Sequence, residues 1–233
     1  MKKTHSLIPI SVATLSISLL VAGLLFGDTQ PDKAAQDKLT PDAVLADLKA
    51  GNERYQEGEA TSHDLKARMD MATAGQFPKA YVLSCVDSRV PVETVFDQSI
   101  GDIFVGRVAG NMENEDQLGS MEFAAGVAGV KLIVVMGHEA CGAVKGACDD
   151  VKLGNLSSLL QKIRPAVRSV EGYADKDSSD KEFVKKVIHA NVKRTVADIR
   201  DRSELLAGLE EEGKIKIVGA YYSLEDGSVT LLD

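Results

Sequence analysis

Four short runs of branched and other apolar residues constrain the fold of this chain more than any other feature of its sequence. The runs occupy residues 82–83, 103–105, 132–135 and 215–218. Short runs of this kind are typical of strands that are buried on both faces of a parallel sheet covered by helices. They predict an α/β fold with a mostly parallel central sheet flanked by helices.

An N-terminal helical arm is predicted before the first run. Thr40 followed by Pro41 is a typical helix start, because the threonine can cap the helix and proline suits its first position. The helix that begins there is amphipathic, and it is expected to pack either on the sheet or on a neighbouring subunit. A second helical pattern covers residues 64–74 and ends at Gly75.

Further helical and turn patterns follow the second and third runs. Apolar spacing predicts helices around residues 118–127 and 183–199, and the last long helix is expected to end near Gly213. Residues 224–227 predict a hairpin turn that leads into an edge strand at 229–232. The sheet is therefore expected to end in a C-terminal edge hairpin.

The amino terminus has the pattern of an export signal. Lys2 and Lys3 precede an apolar run over residues 7–26 that contains no charge. The run is also long enough for an uncleaved membrane anchor, which is the alternative. The predicted organisation is a signal peptide or anchor, a polar linker and a single domain, over residues 1–27, 28–39 and 40–233. The predicted location is the periplasm.

The net charge of the chain restricts its partners. The 233 residues carry a formal net charge of −8, and removal of the two lysines of the signal would make the rest more acidic. An acidic surface argues against nucleic acid and against anionic membranes as partners. Contact with a membrane is expected only through an uncleaved N-terminal segment.

Two of the apolar runs end in residues that bind soft metals. Cys85 follows the first run, and His138 and Cys141 follow the third. Because the carboxyl ends of neighbouring parallel strands meet at one crevice, these side chains are expected to converge. Two thiolates and one imidazole are a known catalytic zinc set with one open position. Cys148, seven residues beyond Cys141, is interpreted as structural, and three cysteines do not make a disulfide framework.

Asp87 and Arg89 lie next to the first of these thiols. Cys85, Asp87 and Arg89 are alternate residues, so in an extended chain their three side chains would project from one face. A carboxylate paired with a guanidinium at a strand end is a candidate catalytic pair. The alternative is a plain structural ion pair.

These segments resemble a known family. The most specific are residues 85–91 and 137–143, and residues 51–55, 107–111 and 219–222 add weaker support. Over roughly residues 42–232 the chain resembles the beta-class carbonic anhydrases. The resemblance implies that residues 40–233 are a single catalytic domain. It also implies a zinc lyase (carbonate dehydratase) that reversibly hydrates carbon dioxide to bicarbonate and a proton.

The resemblance also implies roles for the candidate residues. Cys85, His138 and Cys141 would hold one zinc ion per subunit. The Asp87–Arg89 pair would orient the zinc-bound hydroxide that attacks carbon dioxide, or in a closed form Asp87 would itself ligate the metal. Members thought to be shut by bicarbonate have Trp three positions before the first zinc cysteine, where this chain has Val82, so the open form is expected.

The family builds its substrate pocket across a dimer interface. The positions that match it are Gln76, Phe104, Gly142 and, from the partner subunit, Phe123. Many members have Tyr at the position of Phe123. The resemblance thus implies a homodimer or tetramer that acts on a small molecule, carbon dioxide or bicarbonate.

Two other classes of function compete with this prediction. The thiols could serve thiol–disulfide exchange, although the chain has no Cys-x-x-Cys pair and no second thiol near Cys85 in sequence. The protein could also bind zinc or bicarbonate without catalysing a reaction. Zinc content, thiol titration and a hydration assay would distinguish the three.

Overall fold

The computed structural model describes residues 32–174 and 176–232. The predicted signal peptide or anchor, residues 1–27, lies outside the described residues, as does the first part of the predicted linker. Among the helices of the described part, none is long and apolar enough to cross a membrane.

A five-stranded sheet forms the centre of the domain, with the strand order β2-β1-β3-β4-β5. Its strands are β1 (Ala80–Ser84), β2 (Ile103–Arg107), β3 (Leu132–His138), β4 (Lys216–Tyr222) and β5 (Val229–Leu232). The first four are mutually parallel, and β5 pairs antiparallel with β4. The predicted mostly parallel sheet and the predicted C-terminal edge hairpin are therefore confirmed.

Nine α-helices and one π-helix surround the sheet in the described part of the chain. The first five helices are α1 (Lys33–Asp37), α2 (Pro41–Glu57), α3 (Leu65–Ala72), α4 (Val92–Val95) and α5 (Glu115–Glu122), and the π-helix Phe123–Val127 continues α5. The others are α6 (Gly142–Cys148), α7 (Gly154–Ser169), α8 (Lys181–Arg202) and α9 (Glu204–Glu211). The last two replace the single long helix expected to end near Gly213, because Ser203 ends α8 and caps α9.

The two faces of the sheet bury alternate residues of its strands. On one face, Val82 and Val134 pack in one cluster with Val44 and Leu48 of α2. On the other face, residues of opposite parity, such as Leu83, pack with α8. This alternation follows from the period of two along a strand. It also shows that the N-terminal arm packs on the sheet of its own chain.

The predicted linker, residues 28–39, contains the short helix α1. Gln36 of this helix is buried, and its side-chain amide donates hydrogen bonds to the carbonyl oxygens of Pro78 and Ala128, at 2.7 and 2.8 Å. This part of the segment is thus packed against the domain. Local composition does not reveal it, because the two acceptors are far away in sequence.

Candidate functional site

The three predicted metal ligands meet at the carboxyl end of the sheet. Cys85 directly follows β1, His138 is the last residue of β3, and Cys141 is the N-cap of α6. Strands β1 and β3 are neighbours in register, with Ser84 opposite Met136. The ligand atoms of the three residues lie within 4.8 Å of one another, and all three residues are buried. The predicted convergence is confirmed.

The hydrogen bonding of His138 leaves one ring nitrogen available as a ligand. Its Nδ1 lies 2.9 Å from the carbonyl oxygen of Glu139. A carbonyl oxygen can only accept, so Nδ1 carries a proton, and in the neutral ring Nε2 carries the lone pair. Nε2 is buried and has no hydrogen-bond partner among the described residues. A buried lone pair of this kind is costly unless something binds it, and a metal cation would do so.

The two thiols are close enough to interact directly. The sulfur atoms of Cys85 and Cys141 are 4.0 Å apart. The hydrogen bond between them lowers the pKa of Cys85 and raises the pKa of Cys141, which burial raises further. A divalent cation would bind both as thiolates, and its charge would balance theirs. The chemistry of this donor set therefore fits a metal such as zinc.

Asp87 and Arg89 form a two-point ion pair beside the ligands. Arg89 donates from Nε to Oδ1 of Asp87 at 2.9 Å and from Nη2 to Oδ2 at 2.7 Å. These bonds hold the pKa of Asp87 well below its usual range. The carboxylate also lies close to one of the ligands, with Oδ2 3.8 Å from His138 Nε2.

A turn brings Asp87 and Arg89 together, which corrects the expectation that they project from one face of an extended strand. Strand β1 ends at Ser84, and the N–H of Val90 donates to the carbonyl oxygen of Asp87 at 3.1 Å. The chain is therefore not extended from Cys85 to Arg89. The turn gives the two side chains their contact because it folds Arg89 back over Asp87.

Sequence reasoning gave no role to Arg107, which braces the first ligand segment. This last residue of β2 donates from Nε to the carbonyl oxygen of Cys85 at 2.8 Å and from Nη2 to that of Asp87 at 2.6 Å. It belongs to residues 107–111, one of the segments that carry the family resemblance. Its position at the end of a predicted strand was the sequence feature that could have indicated a role at the site.

Of the predicted substrate-pocket residues, Gln76 and Phe104 do not lie beside the ligands of their own chain, and Phe123 is expected from the partner subunit. Gln76 is exposed and precedes β1, at the opposite end of the strand from Cys85. Phe104 lies near the start of β2 and packs against Phe123, with ring centroids 6.1 Å apart. Of the four, Gly142 directly follows a ligand, Cys141.

Cys148 stands apart from the metal ligands. It ends α6, is partly buried in an apolar cluster, and is not in the group of metal-binding side chains. Burial raises the pKa of its thiol to about 11, which makes it unreactive at neutral pH.

The fold and the site together define a class of protein: an α/β protein with a mostly parallel sheet and a buried cluster of two cysteines and one histidine that could hold a metal ion. The family model described as carbonic anhydrase matches residues 80–229. The chain is 38% identical over 200 residues to carbonic anhydrase 2 of Mycobacterium tuberculosis, covering 83% of this chain and 93% of that one. It is 37% identical to the carbonic anhydrase of Mycolicibacterium smegmatis, covering 82% and 93%.

Solved structures agree with this match. The b-carbonic anhydrase CafA of Aspergillus fumigatus superposes with a TM-score of 0.62 at 25% identity, covering 82% of this chain and 89% of that one. Two tetrameric beta-carbonic anhydrases from Sordaria macrospora share the fold, with a TM-score of 0.62 at 22% identity and coverages of 82% and 94%.

This chain belongs to the carbonic anhydrase family, in its beta class. It is an enzyme, and its reaction is the reversible hydration of carbon dioxide to bicarbonate and a proton. The predicted function is confirmed at this level.

Proposed function

We propose that this protein is a zinc-dependent carbonic anhydrase that binds one zinc ion per subunit through Cys85, His138 and Cys141. The observation that carries the proposal is the unpartnered, buried Nε2 of His138 within 4.8 Å of two thiols. A zinc ion held by these three residues would supply Lewis-acid chemistry, making water a nucleophile at moderate pH.

Asp87 is the proposed catalytic residue that orients the nucleophile. Because Arg89 bonds to both of its oxygens, Asp87 remains a carboxylate and acts only as an acceptor. A nucleophile next to it must donate its hydrogen to Asp87 and is left with a lone pair for carbon dioxide. Arg89 is a positioning residue, since its planar fork fixes the direction of the carboxylate.

The substrate pocket is proposed to be completed by a second copy of the chain. Strand β2 is an edge of the sheet, and Phe123 beside it is 49% exposed. If two β2 edges approach in antiparallel fashion, the start of one strand lies opposite the end of the other. Phe104 and Phe123 of one copy would then lie near Arg107 and Cys85 of the other. A homodimer, or a tetramer built from dimers, is the proposed assembly.

Export to the periplasm is proposed from the charge and hydropathy pattern of residues 1–27. The mass of the mature protein's amino terminus, measured after expression of the full chain, tests this. A mature chain that begins at Met1 in the membrane fraction would favour the uncleaved anchor.

The proposed function is tested by metal analysis and a carbon dioxide hydration assay on one sample. We expect about one zinc per chain, hydration activity, and thiols at Cys85 and Cys141 that react only after the metal is removed. Zinc without activity would indicate a non-catalytic binding protein. Reactive thiols without zinc would indicate a redox protein.

A further inference from the structure

We propose that Asn191 is a positioning residue for the metal centre, acting through the backbone of Gly110 on the sulfur of Cys85. The inference rests on the proposed zinc site and goes beyond it, since Asn191 lies on α8 and is not itself a ligand. Each link in this chain of contacts is a hydrogen bond between named atoms.

The first link is the turn that follows β2. The N–H of Val108 donates to the carbonyl oxygen of Ser84 at 3.1 Å, which ties the turn to the end of β1. Gly110 and Asn111 both have positive φ, +79° and +44°. Consecutive left-handed residues are a strained arrangement that persists only where surrounding contacts hold it.

The second link is the clamp on the peptide between Gly110 and Asn111. Its N–H donates to the carbonyl oxygen of Val108 at 2.9 Å. Its carbonyl oxygen accepts from Nδ2 of Asn191 at 2.8 Å. Both polar groups of this peptide are therefore bonded. Asn191 is only 2% exposed, so water cannot replace its amide.

The third link joins the clamped turn to the ligand. The N–H of Gly110 donates to Sγ of Cys85 at 3.4 Å, within the range for a sulfur acceptor. Such a hydrogen bond draws electron density from a thiolate, orients it and tunes the metal that it binds. Gly110 carries both this N–H and the carbonyl oxygen that Asn191 holds, so a displacement of Gly110 would lengthen the bond to Sγ.

Packing leaves the turn little room to adjust. A Cβ on Gly110 would lie 2.6 Å from Cδ1 of Ile163, which shows how closely α7 packs against the turn. On α8, Asn191 is hydrogen-bonded to the same turn. The turn is therefore fixed between two helices. Loss of the Asn191 amide is expected to change the hydrogen bonding of the Cys85 sulfur, because the turn donates directly to that atom.

The test compares Asn191→Leu, which keeps the approximate shape but removes the donor, with a matched control, Asn52→Leu. Asn52 is also buried, at 4% exposure, and its Nδ2 bonds to the carbonyl oxygens of Val95 and Gly227 at 3.0 and 2.9 Å. It packs on the other face of the sheet, away from the cluster that contains Cys85 and Cys141.

Both variants are loaded with cobalt(II), and the thiolate-to-cobalt charge-transfer band is recorded together with zinc affinity by chelator competition. We expect Asn191→Leu to shift the band and to weaken zinc binding about 10–100-fold, the usual effect of losing an outer contact to a ligand. Asn52→Leu should lower stability and leave the band and zinc affinity unchanged. An unchanged band and affinity in folded Asn191→Leu would overturn the inference.

A measurement on the wild-type chain keeps the inference testable if Asn191→Leu does not fold. In ¹⁵N-labelled protein loaded with ¹¹³Cd, the Gly110 amide is expected to show scalar coupling to the metal across its hydrogen bond to Cys85. A resolved Gly110 amide without that coupling would overturn the inference. The metal stoichiometry of the wild type tests the proposed zinc site separately, so the failure of one is distinguishable from the failure of the other.

Discussion

The two halves of the site differ in how they are held. The inner half, defined as Cys85, His138 and Cys141, is fully buried and is fixed by strand ends, a helix cap and backbone hydrogen bonds. The outer half, defined as the Asp87–Arg89 pair, lies at the surface, with the Arg89 side chain 53% exposed. The inner half is complete within one chain.

We expect this difference to separate metal binding from catalysis. A buried ligand cannot be replaced by water without leaving another buried group unsatisfied. An ion pair with one partner exposed contributes little to stability, because solvent screens it. Changes to the inner half should therefore remove the metal, and changes to the outer half should slow the reaction while the metal stays.

The largest expected effect is loss of an inner ligand. Cys85→Ser or His138→Ala should abolish hydration activity and lower zinc occupancy, because two protein ligands do not hold the ion in an enclosed tetrahedral site. Cys148→Ser is the matched control and should leave both unchanged. Zinc content and turnover are measured on each variant. If Cys148 were required and Cys141 were not, the ligand assignment would be wrong.

Removal of the outer carboxylate should have the next largest effect. Asp87→Asn keeps the shape but lacks the charge, so turnover should fall by about 10²–10⁴-fold while zinc stays bound. Arg89→Lys should also lose activity, because an ammonium cannot reproduce the planar fork. The measurement is turnover beside zinc content. Full activity of zinc-loaded Asp87→Asn would show that the Asp87–Arg89 pair has only a structural role.

A smaller effect is expected from breaking the proposed interface. Phe123→Asp places a charge on the apolar surface beside β2 and should prevent the proposed dimer from forming. Activity should fall on the order of 10–10²-fold, the scale of lost apolar contacts in a pocket, and zinc should remain. Leu153→Asp, at a residue 65% exposed elsewhere on the chain, is the control. Light scattering that gives the same mass for all three proteins would contradict the proposed assembly.

Bicarbonate should have the smallest effect. Val82 is buried in the sheet where bicarbonate-regulated members of the family carry Trp, and Asp87 is already paired with Arg89. Activity measured against bicarbonate at fixed pH should therefore show only simple product inhibition. Steep, cooperative inhibition at low pH would indicate that Asp87 leaves Arg89 for the metal.

Local patterns in the sequence were enough to predict the sheet and the inner half of the site. Apolar runs predict strands because burial on both faces excludes polar residues. Cys85 and His138 sit at the ends of two such runs, and β1 and β3 bring them together because they are parallel neighbours. Thr40 and Pro41 likewise predicted the start of α2, which the structure has at Pro41.

The tertiary structure alone decided the contacts between residues far apart in sequence. Gln36 packs part of the predicted linker against the domain, and Arg107 braces Cys85 and Asp87 from the next strand. Asn191 reaches the Gly110 carbonyl across 81 positions. Apolar periodicity in the sequence indicates which face of a helix or strand is buried. A single long-range hydrogen bond produces no repeating pattern in the sequence, so it cannot be predicted in this way. Such bonds form only after the sheet and its helices have placed the donor beside its acceptor.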